Sequence, residues 1–244
     1  MKLTENLYLV GGGPFGLSHE FDSSIYLVDC GSESVLVDTG AGIDTHKIID
    51  NIKKDGLNPD KISHIFLTHS HADHSSGAAE LQKNLGAAVC ISEIEADLLN
   101  SYDEKKIQLD VAKRSGLYSP DYVFKPCKAS KLLKHNDLIK VGKFTFRSIV
   151  VPGHSKGSIC YYVELPEGKT LFTGDVVFFD GAIGLLNCEG SSLSDYREYI
   201  NRIKDLNIEI LLPGHFVFSL HNSDRHIEKT VNSLRLLGIP KNFI

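Results

Sequence analysis

Short apolar runs alternate with helical patterns along the chain, and together they predict a mixed α/β fold. The first three runs are rich in β-branched and aromatic residues, are bounded by glycine or serine, and span residues 7–10, 24–28 and 35–37. This pattern is typical of strands joined by tight turns. We therefore expect the fold to open with an antiparallel meander.

A helical pattern follows the meander. It runs from a potential N-cap at Asp44 to Gly56, a glycine in a position typical of a helix C-terminus. An apolar run at 62–67, a second helical pattern at 75–85 and a further apolar run at 88–91 come next. Because strands and helices alternate here, we expect βαβ units and a partly parallel sheet in the first half.

The second half of the chain repeats this plan. Its predicted strands span 138–141, 144–151, 158–164, 170–172 and 208–212, and its predicted helices span 192–206 and 224–237. No segment rich in proline or serine separates the halves. We therefore expect one domain over residues 1–244, an α/β protein arranged as a four-layer αββα sandwich.

Residues 93–123, between the halves, are charged and helical at first and then become loop-like. This segment is either a cover over an active site or an insertion on the surface. Tyr118 and Tyr122 in this segment, like the pair Phe178 and Phe179, either line an apolar pocket or belong to the core.

Composition narrows the classes of function. The 244 residues include 26 Lys and Arg against 31 Asp and Glu, a net charge of −5 that disfavours nucleic acid as a partner. No apolar stretch approaches the roughly 20 residues of a membrane span, and no signal-type run begins the chain. The five cysteines are far apart and typical of buried thiols in a reducing compartment. We expect a cytoplasmic protein that acts on a small molecule, without nucleic-acid or membrane partners; assembly as a homodimer stays open.

Histidine and aspartate are concentrated in one segment. His69, His71, Asp73 and His74 lie within six positions, directly after the apolar run 62–67. In an extended segment, residues two apart point to the same side, so His69 and His71 can converge on one ion. The other two turn towards a neighbouring point at a helix start. Imidazole and carboxylate ligands suit zinc, iron, manganese or cobalt.

Three later positions repeat this placement. His154, Asp175 and His215 each follow an apolar run and lie beside a glycine. Open α/β sheets present functional groups at strand ends, where glycine lets the backbone approach closely. Four such strand ends in one chain favour a metal centre over a chance distribution of histidine.

The motif HSHADH, with VDTG before it and PGH, TGD and PGH after it, resembles the metallo-β-lactamase superfamily from about residue 7 to residue 215. The resemblance implies two metal ions, with zinc expected and iron or manganese as alternatives. It assigns seven ligands: His69, His71 and His154 to the first metal, Asp73, His74 and His215 to the second, and Asp175 to both. It also implies that Asp38, in VDTG, orients a ligand.

The resemblance further implies a hydrolase that cleaves a small ester, thioester or lactone with a hydroxide held between the metals. Asp73 would relay a proton to the leaving group or serve only as a ligand. The most similar branches are glyoxalase-II-type hydrolases and small lactonases. The first carry a helical domain where only residues 216–244 follow here, and the second carry a tyrosine where this chain has Phe178.

Other chemistries of the superfamily are alternatives. A mononuclear iron persulfide dioxygenase, which uses similar ligands, is the main one. A β-lactamase is disfavoured because that branch has cysteine or serine where this chain has Asp175. A nuclease is disfavoured by the net acidity. A metal-stabilised binding module is the non-enzymatic alternative.

Six histidines have no predicted role as ligands. We expect His64 in a core strand. His19, His46 and His135 are expected in solvent. One of His221 and His226 either faces the site or has no role.

Overall fold

Two β-sheets, each with its own helices, build the chain in this computed structural model, which describes residues 1–243. The chain divides into two units, one comprising Met1–Leu132 with Val141–Lys143 and the other Leu133–Lys140 with 144–243. The expectation of one domain over the whole chain stays a prediction.

The first sheet has six strands: β1 Leu7–Gly11, β2 Ile25–Asp29, β3 Ser34–Val37, β4 Ile62–Phe66, β5 Ala88–Ser92 and β6 Lys131–Leu133, adjacent in that order. β2 is antiparallel to both β1 and β3, whereas β4 is parallel to both β3 and β5. The predicted meander and the partly parallel sheet are both confirmed.

The helices of the first unit are α1 Thr45–Lys54, α2 Ala72–Ser75, α3 Ala78–Leu85, α4 Ala96–Leu99 and α5 Leu109–Arg114. Ile52 of α1 and Leu81 of α3 are buried in one apolar cluster with Leu36, Ile65 and Val89, which lie side by side on neighbouring strands. Full burial of each such side chain contributes about 1.5–3 kcal/mol, so the cluster holds both helices on one face of the sheet.

Asp44 precedes α1 as predicted, but its carboxylate does not cap the helix. Oδ2 accepts a hydrogen bond from Nζ of Lys47 at 2.7 Å, and no side-chain cap bond is formed. The backbone of Asp44 (φ −118°, ψ 46°) departs from the extended conformation that aims an N-cap side chain at the first turn. The helix ends as predicted, since Gly56 adopts φ +78° directly after the C-cap residue Asp55.

The second sheet and its helices comprise β7 Leu138–Val141, β8 Phe144–Val150, β9 Ile159–Leu165, β10 Gly168–Gly174, β11 Ile210–Pro213, α6 Leu193–Tyr199 and α7 Asp224–Leu234, and all but the last residue of β7 belong to the second unit. Its sheet has the order β11-β10-β9-β8-β7, with β9 antiparallel to β8 and β10, and β11 parallel to β10. Tyr196 of α6 and Val231 of α7 are buried in one cluster with Leu171 and Leu211 of the sheet.

Two predicted helices end earlier than expected, and one strand of the first sheet was not predicted. α6 ends at Tyr199 and passes into a 3₁₀ turn, Ile200–Ile203, whose three-residue repeat buries both isoleucines on one side. α7 ends at Leu234, and Leu237 beyond it is fully exposed. β6 was not predicted, because two of its three residues are exposed and no apolar pattern marks it.

The cysteine thiols and the lengths of the helices can be compared with the predictions from the sequence. Four of the five cysteines are buried, Cys188 is partly exposed, and all five carry free thiols. Within residues 1–243, no helix combines the length and the apolar character needed to cross a bilayer. The prediction of buried thiols is confirmed for those four.

Candidate functional site

The segment that links β4 to α2 carries the first predicted ligands. His69 is fully buried and His71 is partly exposed. Nε2 of His69 lies 3.1 Å from Nδ1 of His71, and the two rings are nearly perpendicular, at 81°. The two imidazoles therefore present ring nitrogens to a common point, as the spacing of two residues predicts.

Asp73 and His74 lie in α2, one and two residues after its start. Oδ2 of Asp73 is 3.5 Å from Nε2 of His74, and the centroid of the His74 ring is 4.2 Å from that of His69. His74 is buried, whereas the side chain of Asp73 keeps 21% of its exposure. The first unit thus brings its four predicted ligands together.

Asp38, directly after β3, fixes the tautomer of His74. Oδ2 of Asp38 lies 2.8 Å from Nδ1 of His74, and the carboxylate also accepts hydrogen bonds from the backbone N–H and the hydroxyl of Thr68. Because an ionised carboxylate only accepts, Nδ1 of His74 carries the proton and Nε2 keeps its lone pair. The backbone of Asp38 is left-handed, at φ +61°, a conformation that aspartate tolerates better than most residues.

Thr68 extends this arrangement to His69. Its hydroxyl donates to Asp38 and lies 3.1 Å from Nδ1 of His69, so this ring nitrogen is the donor and Nε2 again keeps its lone pair. Sequence reasoning missed Thr68, although it stands next to the motif. It also missed Glu95, a fully buried residue at the start of α4 whose Oε2 accepts from the N–H of Ser70 at 2.6 Å.

The second unit brings together the three later ligands. Nε2 of His154 lies 3.5 Å from Oδ2 of Asp175, and Nε2 of His215 lies 3.4 Å from the same oxygen. Nδ1 of His154 donates to the carbonyl of Gly184 at 2.6 Å, which leaves Nε2 of that ring as the accepting atom. The three residues follow β8, β10 and β11, whose C-terminal ends lie at the same edge of the sheet.

Tyr196 of α6 is hydrogen-bonded to the backbone beside these predicted ligands. Its hydroxyl accepts from the N–H of Gly184 at 3.2 Å and donates to the carbonyl of Asp175 at 3.1 Å. Gly153, before His154, adopts φ +148°, and a Cβ there would lie 2.5 Å from ring atoms of Tyr196. The glycine in this PGH motif is therefore required by close packing. The role of Tyr196 has no local sequence signal, because its partners lie 12 and 21 residues away.

Aromatic rings surround His215. Phe243 stacks on its imidazole with centroids 5.0 Å apart and 27° between the planes, and Phe178 stacks on Phe243 at 4.9 Å. Phe178 is fully buried, and Phe179 instead contacts the ring of His226 at 4.5 Å. Of the predicted pair, only Phe178 belongs to the surroundings of a ligand.

The segment 93–123 reaches Asp73. Tyr118, after α5, stacks on Tyr122 with centroids 4.5 Å apart and meets Phe21 edge-on at 5.4 Å. The hydroxyl of Tyr118 is hydrogen-bonded to Asp73, and burial raises the pKa of Tyr118 well above its ordinary value. This part of the segment therefore covers a predicted ligand, and it supplies a phenol beside that carboxylate.

The remaining histidines lie apart from these ligands. His64 is half-buried on β4 with its Nδ1 2.8 Å from the hydroxyl of Ser63. Nδ1 of His226, in α7, accepts from the N–H of Asp180 at 3.0 Å, and burial lowers the pKa of His226. His221 is exposed beside Glu209. Within residues 1–243, the hydrogen bonds of His221 and His226 join neither of them to a predicted ligand.

Comparison with known proteins gives relatives of named activity. The family model described as the metallo-beta-lactamase superfamily matches residues 20–215. The acyl-coenzyme A thioesterase MBLAC2 of Gallus gallus is 28% identical, over 94% of this chain and 86% of that protein. A probable polyketide biosynthesis zinc-dependent hydrolase, BaeB of Bacillus velezensis, is 33% identical over 70% of this chain and 61% of its own length. An atrochrysone carboxyl ACP thioesterase of Cryptosporiopsis sp. is 28% identical, and the chain spans 48% of it.

Solved structures agree in fold. The subclass B3 metallo-beta-lactamase BJP-1 of Bradyrhizobium japonicum superimposes with a TM-score of 0.73 at 23% identity, over 96% of this chain and 88% of that one. GOB-18 of Elizabethkingia meningoseptica gives the same TM-score and coverage at 20% identity. These matches confirm the predicted α/β fold class, and the family model confirms the resemblance seen in the motifs. The chain belongs to the metallo-β-lactamase superfamily.

Proposed function

We propose that this chain is a metal-dependent hydrolase that cleaves thioesters of small acyl groups, with esters and lactones as related substrates. The observation that carries the proposal is the orientation of the buried imidazoles. Nδ1 of each of three rings is tied to an acceptor, and Nε2 is left as a ligand atom: the pairs are His69 with Thr68, His74 with Asp38, and His154 with Gly184. Metal-binding histidines are oriented in this way, by a bond from the other ring nitrogen.

The donor atoms suit zinc. Imidazole nitrogen and carboxylate oxygen are its common ligands in catalytic sites. We propose that the seven ligands predicted from the sequence bind two zinc ions: His69, His71, Asp73, His74, His154, Asp175 and His215. The zinc-dependent hydrolase among the relatives supports this choice of metal.

The chemistry divides between the metal and the chain. When bound, zinc supplies a Lewis acid and lowers the pKa of water from about 15.7 towards about 7. Asp73 is the proposed proton carrier, because its carboxylate remains partly exposed while His74 beside it is buried. The Tyr118 hydroxyl orients that carboxylate. Water adds to the acyl carbon as the C–S bond breaks, and one of its protons reaches the sulfur of the leaving thiol through Asp73. The acyl group leaves as a carboxylate, and the second proton is released to solvent.

The relatives favour a thioester over the other substrates. Two of the three are named as thioesterases, one for acyl-coenzyme A and one for an acyl carrier protein. The chain spans 86% of the first, so most of that protein has a counterpart here. The phenylalanine at position 178 leaves a lactonase without the hydroxyl that the resemblance would require.

The test combines metal analysis with a substrate panel. Purified protein is assayed for zinc, iron and manganese and is offered acyl-CoA thioesters, simple esters, lactones and a β-lactam. We expect two zinc ions per chain and hydrolysis of thioesters above the other classes. His69→Ala should lose both metal and activity, whereas His46→Ala, at an exposed histidine, should keep both.

Two outcomes would overturn the proposal. One iron per chain with oxygen consumption on glutathione persulfide would assign a dioxygenase instead. A metal-loaded protein that hydrolyses no ester, thioester or lactone would assign a binding module.

The compartment is part of the same proposal. Free thiols persist in reducing compartments, and the five cysteines of this chain support a cytoplasmic protein. Labelling of the protein in fractionated cells tests this, and recovery from an oxidising compartment would contradict it.

A further inference from the structure

A group of phenylalanine rings next to His215 is partly open to solvent. Phe216 follows this ligand directly and is 49% exposed. Its ring meets Phe243 at 4.6 Å and Phe178 at 5.9 Å, both edge-on. We call Phe216 and Phe243 the apolar surface, and Phe178 is the buried ring on which they pack. The apolar surface is continuous with a predicted metal ligand, because Phe243 also stacks on the His215 imidazole at 5.0 Å.

The backbone holds Phe216 in a disfavoured conformation. Its φ is +62°, in the left-handed region that a bulky side chain rarely adopts. Folded chains keep such strain where the surroundings hold it, and it is concentrated at ligand-contact sites. Here it coincides with an aromatic ring that remains half in water, although the rings on which it packs are more deeply buried.

Phe243 is held in place by bonds to the chain that follows β10. The N–H of Phe243 donates to the carbonyl of Ile183 at 2.8 Å. The side chain of Asn242 accepts from the N–H of Leu185 and donates to its carbonyl, both at 2.8 Å. Phe178 beneath it is fully buried. Two of the three rings are therefore fixed in advance, which lowers the entropy that a ligand must overcome.

We propose that the apolar surface binds the acyl chain of the substrate, which makes the protein favour longer acyl chains over acetyl. This inference rests on the proposed function and names the substrate class for the same site. An alkyl chain lies well on aromatic rings, because contact removes apolar area from water on both sides. Its position beside His215 lets the chain extend over the rings while the thioester carbon stays at the metal ligands.

The dependence on chain length is the first test. The values of kcat/KM are measured for acetyl-, butanoyl-, hexanoyl- and decanoyl-CoA. Each methylene that leaves water should raise kcat/KM about two- to fourfold until the surface is covered. Phe216→Ala should flatten this rise, and Phe216→Leu should restore most of it. Leu237→Ala, which removes a fully exposed apolar side chain after α7, is the matched control and should keep the wild-type rise.

Binding of an analogue that cannot be hydrolysed separates this inference from the proposed function. S-decyl-CoA and S-ethyl-CoA, both thioethers, are titrated into the protein in a calorimeter. Tighter binding of the decyl compound, lost in Phe216→Ala, supports the surface even if no thioester is turned over, in which case only the proposed function fails. Thioester turnover whose dependence on chain length is absent, or is the same in Phe216→Ala as in the wild type, overturns the surface and leaves the proposed function standing.

Discussion

The substitution Asp38→Asn reverses the hydrogen bond that sets the tautomer of His74. Asparagine has nearly the shape of aspartate and tolerates the left-handed backbone at φ +61°. Its carbonyl can still accept from the N–H of Thr68, which lies 2.8 Å from Oδ1. Its amide nitrogen, however, then faces Nδ1 of His74 as a donor. The proton of His74 must move to Nε2, the atom proposed to bind zinc.

The size of the effect follows from the bond that is lost. A hydrogen bond between a buried imidazole and a carboxylate contributes about 1.5–3 kcal/mol. Such a loss corresponds to about 10–100-fold in metal affinity, which is also the usual effect of removing the partner of a metal-binding histidine. We therefore expect zinc to bind about 10–100-fold more weakly at the position that includes His74.

The assay titrates zinc into metal-free protein in competition with a chromophoric chelator, and urea unfolding of the metal-free protein gives stability. Asp22→Asn is the matched control. Asp22 is a carboxylate as buried as Asp38 in the same unit, but it accepts from the backbone N–H groups of Ala41 and His19 and not from a ligand. Both variants should unfold more easily by about 1–3 kcal/mol, and only Asp38→Asn should bind zinc more weakly. Wild-type zinc affinity in Asp38→Asn, or an equal loss in Asp22→Asn, would refute the tautomer argument.

Three further substitutions test the supports of the site and its pH dependence. Gly153→Ala should lower the free energy of unfolding by about 2 kcal/mol or more, because the new Cβ would lie 2.5 Å from the ring of Tyr196. The control Gly238→Ala, in open space, should change the free energy of unfolding by less than about 0.5 kcal/mol, and equal urea midpoints for the two variants would contradict the packing argument. Tyr196→Phe leaves one buried N–H and one carbonyl without their hydroxyl partner, so urea unfolding should show a loss of about 1–3 kcal/mol, and an unchanged midpoint would contradict it. Burial holds the pKa of His226 below its unfolded value of about 6.5, so the unfolded chain binds a proton more readily and stability falls as pH drops below about 6.5. His226→Gln should reduce this loss of stability between pH 7.5 and 5.5, and an unaltered pH profile would contradict a role of His226 in it.

The candidate ligands could be recognised in the sequence because their positions are local properties. Each follows a recognisable apolar run, and the spacing of two residues between His69 and His71 alone places their ring nitrogens 3.1 Å apart. The meander and the βαβ units could be predicted for the same reason, since each strand and helix carries its own period. β6 could not, because a three-residue edge strand with one buried residue has no period to detect.

The supports of the ligands could not be predicted, because they depend on contacts between distant segments. Tyr196 reaches Gly184 and Asp175 across 12 and 21 residues. Phe243 stacks on His215 only because the end of the chain is bonded to Ile183. No pattern within one segment marks these residues, whereas Asp38 could be assigned its role because it lies within a motif of the family.

The number of metal ions per chain, measured with thioester turnover in the wild type and in Asp175→Ala, tests the central claim most directly. Oδ2 of Asp175 lies 3.5 Å from Nε2 of His154 and 3.4 Å from Nε2 of His215. If this carboxylate serves two zinc ions, elemental analysis should find two per wild-type chain and at most one per variant chain, and turnover should be lost with the second ion. A variant that holds one metal ion and keeps full activity would contradict the account.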